Sequence, residues 1–132
     1  MLEGLTRYAK VRAVVPVPWT EQLRGRQSPP PTSYDVIAAG FSYLPRIGRM
    51  ALAKRMRSSL ARTLAAEPLP DLILSYWVDP DGTAALAWGR AIGRPVVQII
   101  GGSDVLVLAN DVQRRSRIID TLQQVDAVLA IG

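Results

Sequence analysis

The sequence predicts an α/β fold, a Rossmann-like three-layer domain with a parallel sheet. Short β-branched runs alternate with longer runs of helical period, the order that folds as parallel strands covered by helices. The runs are punctuated by Pro, Gly and Asp turns, and no internal repeat is present. At 132 residues, 48% of them apolar, the chain has enough material for one hydrophobic core. One domain, residues 1–132, is therefore the expectation.

Residues 3–10 read as the end of a helix, and valine-rich residues 11–17 as a first strand closed by Pro16, Pro18 and Trp19. The stretch 20–33, with Pro29, Pro30 and Pro31 in a row, reads as a surface loop without regular structure. Residues 34–41 suit a short strand. Over 49–66, Met50, Ala53, Met56, Leu60 and Leu64 recur at steps of three and four, which predicts a helix stopping before Pro68. Lys54, Arg55, Arg57 and Ser58 fall largely on its other face. A strand over 72–76 runs into Trp77 and a Val-Asp-Pro-Asp-Gly turn.

In that turn Asp79 suits an N-cap, Pro80 the first helical position and Asp81 the positive helix end. The helix they open is expected to reach Ile92, with Gly93 as its left-handed terminator and Pro95 barring continuation. Residues 96–100 are the clearest buried strand, broken by Gly101, Gly102, Ser103 and Asp104. A helix is predicted from Asn110, with Val112, Ile118, Ile119 and Leu122 inward and Arg114, Arg115 and Arg117 outward. Residues 127–131 form a last strand, after which a covering element is expected; its lack predicts an incomplete domain.

Composition excludes much chemistry. Without cysteine there is no disulfide, thiol nucleophile or thiolate metal site. Without histidine the commonest general base and metal ligand are missing, so triads and zinc sites cannot be built from this chain. No metal site and no cofactor is predicted, and no catalytic residue is assigned. No run approaches the roughly 18 apolar residues of a membrane span, and Glu3 interrupts what would be a signal peptide. The expected location is the cytoplasm. A net charge of +5 and an isoelectric point near 10.2 favour anionic partners. Arg46, Arg49, Lys54, Arg55, Arg57 and Arg62 precede the next acidic residue, Glu67. They read as a solvated helix face or, through Arg49, Lys54, Arg55 and Arg57, as a contact with anionic lipid at the inner membrane face. Nucleic acid is disfavoured, since no recognition motif is present and no aromatics interleave with the basic cluster.

Ligands of open α/β sheets bind outside the carboxyl ends of the strands. The segments predicted there are Pro18 with Trp19, residues 76–82 and residues 101–104. Gly101 and Gly102 either let the backbone aim N–H groups at an anionic oxygen or form a plain turn with Ser103 and Asp104 bonding neighbouring amides. Asp79 and Asp81 either cap a helix or face a ligand. Tyr76 and Trp77 either stack on a sugar or base or pack at the rim. No Gly-x-Gly-x-x-Gly follows any strand, which weakens a dehydrogenase or methyltransferase reading.

Tyr76, Trp77, Val78, Asp79, Pro80, Asp81 and Gly82, then Ala84, Ala85, Gly93, Pro95, Val96 and Val97, then Gly102, Ser103, Asp104 and Val105, and finally Asp126, Ala127 and Val128 carry a resemblance. Over 71–132 this pattern resembles the N-terminal half of family 4 glycosyltransferases, one half of a GT-B fold. Upstream, residues 8–19 resemble the end of the first helix and the second strand of that domain. The resemblance implies retaining transfer of a sugar from a nucleotide-sugar donor to a glycan or lipid-linked acceptor bound by this domain. It implies that Asp81 and Gly82 line the acceptor cleft and that Gly102, Ser103 and Asp104 face an interdomain crevice. Members often carry histidine at the position of Tyr76 and arginine at that of Gly101; this chain does not. The family's first strand and glycine-rich loop would precede Met1 and its donor domain would follow Gly132. The expectation is thus a fragment, inactive in isolation. The competing expectation is a non-catalytic module using the 46–62 segment to contact anionic lipid or nucleic acid.

Overall fold

The computed structural model describes residues 2–22, 24, 32–43 and 51–132. The chain is α/β with parallel strands throughout, of the Rossmann-like kind. Its residues group into two compact units, Met1–Ile47 and Gly48–Gly132. Among the described residues five strands form two sheets, of two and of three strands.

In the first unit, helix α1 (Leu2–Leu5) is one turn long, shorter than predicted, because the amides of Tyr8 and Ala9 both return to the Leu5 carbonyl and close it. Strand β1 (Arg12–Pro18) pairs in parallel with β2 (Asp35–Phe41), Arg12 opposite Asp35 and Pro18 opposite Phe41. Both strands agree with the sequence reading, and Val17 and Ala39 are their buried residues. Between them Trp19–Gln22 form a short helix, α2, which corrects the expectation that residues 20–33 hold no regular structure. Glu21 in its first turn complements the positive helix end. The three consecutive prolines of that stretch lie outside the described residues, as do Arg46, Arg49 and Met50.

The second unit begins with α3 (Leu52–Thr63), where Met56 and Ser59 are buried and Lys54, Arg57 and Ser58 exposed. Leu64, just past its end, is buried too. Of the predicted stripe, Met56 and Leu64 are therefore core and Ala53 and Leu60 half-buried, and α3 is set against the following helix. Strand β3 (Ile73–Tyr76) leads through a turn, Val78–Gly82, into α4 (Thr83–Ile92). Gly93 ends α4 in the left-handed conformation (φ 67°, ψ 38°), as its lack of a Cβ allows. Strand β4 (Val96–Ile100) follows, then the short α5 (Gly102–Leu106), α6 (Val112–Gln124) and β5 (Ala127–Ala130). The sheet order is β3-β4-β5, all parallel. Helix α4 packs on β3 and β4 and against α3 and α6. The core between these elements holds Met56, Val78, Ala84, Trp88, Val96, Ile99 and Ile118. Asp126 fixes the start of β5 by exchanging two bonds with Val96, accepting its N–H at 2.8 Å and donating to its carbonyl at 2.9 Å.

Two features of α6 differ from prediction. Its cap is Asp111, whose carboxylate accepts the amides of Gln113 and Arg114 at 2.9 and 3.1 Å; the Arg114 amide holds that carboxyl below the usual range. Its inward face keeps Ile118, as expected, and adds Thr121, with Arg114, Arg117 and Leu122 half-buried, whereas Val112 and Ile119 are exposed. The expected stripe is thus rotated, for a reason found in the turn after β3. No helix among the described residues is long and apolar enough to cross a membrane.

Candidate functional site

The carboxyl ends of β3, β4 and β5 converge on an open cleft of about 460 Å³ lined by Tyr76, Trp77, Gly101, Gly102, Ser103, Asp104, Ile131 and Gly132. Tyr76 and Trp77 stand half exposed, their ring centres 5.8 Å apart and their planes at 86°, an edge-to-face pair. This is the edge at which ligands of open parallel sheets bind.

Trp77 is held in an unusual backbone state, φ 68° and ψ 124°, and is the one non-glycine residue of positive φ among those described. A side chain at such a position costs about 1–3 kcal/mol and persists only where its surroundings fix it. Two bonds do so here. The amide of Val78, the next residue, donates to Asp104 Oδ1 at 3.2 Å, and the amide of Gly82 donates to the Trp77 carbonyl at 2.9 Å. Asp104 is buried, and its other oxygen accepts the Gly101 N–H at 3.0 Å. Its carboxylate therefore ties the turn after β4 to the turn after β3. The Gly101 amide is engaged by this carboxylate, so the turn carries the internal bonding that one of the two sequence readings gave it.

The capping role expected of Asp79 is overturned. No side chain caps α4, whose N-cap position is Gly82, and Asp79 is extended (φ −129°, ψ 119°) and joined to Pro80 by a cis peptide. Pro80 accordingly lies in the turn before the helix and not at its first position. Asp79 is buried and receives two bonds from Arg117, Nε to Oδ1 at 3.0 Å and Nη2 to Oδ2 at 3.1 Å, with Arg114 Nε at 3.7 Å. A two-pronged guanidinium satisfies a buried carboxylate more fully than a single helix amide does. The same bonds raise the Arg117 guanidinium above its ordinary pKa. They draw Arg114 and Arg117 inward, against the outward orientation the sequence implied, and so set the rotation of α6. Beside them, the Thr83 and Thr121 hydroxyls meet at 2.9 Å.

Asp81 lies in the same turn without lining the cleft. Burial pushes its carboxyl from 3.8 up to about 6, and the charges of Asp79 and Asp104 add to the rise while a backbone hydrogen bond opposes it. Gly82 is buried against the Gln98 side chain, so a Cβ there would collide with the Gln98 amide oxygen. Gln98 is fully buried and donates to the carbonyls of Ser75 and Ile99 at 3.3 and 2.8 Å. Among the predicted site residues, then, the structure brings Tyr76, Gly101, Gly102, Ser103 and Asp104 into one cleft, with Asp79, Asp81 and Gly82 in the adjoining turn. Trp19 heads α2 in the first unit and is not among the residues lining this cleft. Lys54, Arg55 and Arg57 lie along α3, away from it in sequence and not in its lining. No local pattern marks Arg117, since its partner is 38 residues away. Among the described residues no group of His, Cys, Asp and Glu side chains is placed to hold a metal ion.

Compared with known proteins, the chain matches no protein-family model and no curated sequence.

Proposed function

We propose that the second unit binds a sugar in this cleft, as the acceptor-side domain of a retaining glycosyltransferase similar to family 4. The observation that carries the reading is the exposed Tyr76 and Trp77 pair at the carboxyl edge of the sheet, backed by the rigid turn that Asp104 braces. A sugar ring offers one face of weakly positive C–H groups to an aromatic π-face and hydroxyls to polar neighbours such as Ser103. Strain held at Trp77 fits a residue fixed for binding rather than for folding. The nucleotide-sugar donor is assigned to a separate domain, and the acceptor to a glycan or a lipid-linked sugar. No side chain of this chain is assigned as a catalytic residue.

The test is titration with a panel of methyl glycosides, followed by ligand-observed NMR, on the protein and on Trp77→Ala. Saturation transfer to one or more sugars, lost in the variant, supports the reading. No transfer to any sugar removes it.

A second reading is a non-catalytic module that touches anionic lipid or nucleic acid through α3. Exposure of Lys54 and Arg57 favours it. With Met56 and Leu64 buried, charge alone is left to drive such a contact. Retention on anionic vesicles at low salt, lost in Lys54→Glu with Arg57→Glu, would favour this reading over the first.

A further inference from the structure

Helix α4 rides on β4 over two glycines that share one of its faces, Gly82 at its N-cap and Gly89 about two turns on. A Cβ on Gly89 would strike the Val96 side chain, and one on Gly82 would strike the Gln98 amide. Val96 and Gln98 stand on the same side of the strand, 1% and 0% exposed. The two contacts are alike in shape and unlike in chemistry. Val96 fills its seat with methyl groups, as a core position ordinarily does, whereas Gln98 carries a primary amide into the same interior at a cost in lost hydration. Packing therefore explains Val96 and leaves Gln98 unexplained. The nitrogen of that amide donates to the carbonyls of Ser75 in β3 and Ile99 in β4, at 3.3 and 2.8 Å. Its Oε1 is buried against Gly82 and has no hydrogen-bond partner among the described residues. A buried acceptor kept without a donor is rare enough in folded proteins to call for a reason. Both ends of the amide point to the same two residues. The Ser75 carbonyl belongs to the peptide unit that enters Tyr76, and the Gly82 amide is the one that holds the Trp77 carbonyl at 2.9 Å.

We infer that Gln98 is a positioning residue of the cleft: it fixes Tyr76 through the Ser75 carbonyl and Trp77 through Gly82, and so holds the two rings in their edge-to-face pair. The inference rests on the sugar-binding reading, in which that pair is the platform, and adds to it a residue that lines no part of the cleft. The NH2 group joins the penultimate residues of β3 and β4, just short of the edge where the cleft opens. The oxygen takes the place a Cβ would have on Gly82, which keeps Gly82 from closing on the sheet and its amide on the Trp77 carbonyl. With Asp104 on the Val78 amide, the positive φ of Trp77 is thus fixed from both sides.

The experiment uses Gln98→Met, which keeps the length of the side chain and removes its donors and its acceptor. NMR reads the indole N–H of Trp77 and the backbone amides of Tyr76 and Gly82, with the indole of Trp88, buried in α4, as the control for the fold. The Trp77, Tyr76 and Gly82 signals are expected to move with Trp88 unmoved, and the Gly82 amide to exchange with solvent about tenfold faster, the effect of one hydrogen bond. Glycosides that bind the parent protein are expected to bind about tenfold more weakly. A lower melting temperature with the Trp77 signal unmoved makes Gln98 a packing residue only and overturns the inference. So do moved signals with glycoside affinity unchanged. If the parent protein binds no glycoside, the sugar reading falls, and the Trp77 and Gly82 signals decide the positioning role by themselves. Where Gln98→Met does not fold, Gly82→Ala is the second variant, because its Cβ displaces the same amide from the other side. Tyr76 and Trp77 signals unmoved in Gly82→Ala overturn the inference equally.

Discussion

Replacing Arg117 by leucine leaves the Asp79 carboxylate stranded, and the size of the penalty tests the proposed brace. The Asp79 side chain is 4% exposed and that of Arg117 27%, and both prongs of the guanidinium are used, at 3.0 and 3.1 Å. Removing one partner of a buried pair costs about 3–5 kcal/mol, because the remaining charge keeps its desolvation penalty and loses its compensation. Here the lower end applies, about 3 kcal/mol, since Arg117 keeps some water and Arg114 stays within 3.7 Å of the carboxylate. In urea unfolding this lowers the midpoint by about 1.5–2 M for a domain of this size. The double variant Asp79→Leu with Arg117→Leu should recover at least half of the loss, because it removes both charges together. A cost for Arg117→Leu below about 1 kcal/mol, the range of exposed pairs, would refute the claim that α6 is oriented by a buried ion pair.

Three further outcomes follow from the same turn. Gly82→Ala should lower stability by about 1–3 kcal/mol, read as a drop in melting temperature, since its Cβ has no room beside the buried Gln98 amide. Asp104→Asn puts an NH2 group against one of two donor amides and should cost about 2–3 kcal/mol, with backbone amide shifts of both Val78 and Gly101 moving in NMR. For Asp81 the folded carboxyl is raised from 3.8 to about 6, so the folded state binds its proton more tightly than the unfolded state. That contribution to stability is full below pH 3.8 and is lost as pH rises through about 6. Asp81→Asn should therefore match the parent protein below pH 3.8 and exceed it in melting temperature above pH 6. Equal melting temperatures across that range would show that Asp81 is not desolvated.

Local signals were legible in the sequence where they decide the outcome alone. Strand β4 spans residues 96–100 as its valines and isoleucines implied, and α4 ends at Ile92 because Gly93 can take a positive φ. The carboxyl-edge rule brought residues 76–77 and 101–104 to one cleft, since parallel strands present those ends together. What was not legible depends on pairs remote in sequence. Asp79 carries every local mark of a cap, and only the folded chain shows Arg117 beside it. Once Arg114 and Arg117 turn inward, Val112 and Ile119 must turn outward on the same helix, so one long-range contact reverses several assignments. Asp104 looks like an ordinary turn residue, and its bond to the Val78 amide spans 26 positions. The inward turn of Asp104 follows from that bond, which no hydrophobic pattern signals.

Sugar binding at the carboxyl edge is tested most directly by the indole N–H resonances of the three tryptophans during titration with glycosides. Trp77 lines the cleft and Trp88 is buried in α4 of the same unit, so Trp88 serves as an internal control. The account predicts a saturable shift of the Trp77 resonance with that of Trp88 unmoved. A saturable shift of Trp19 with Trp77 unmoved, or no shift of any of the three, would contradict it.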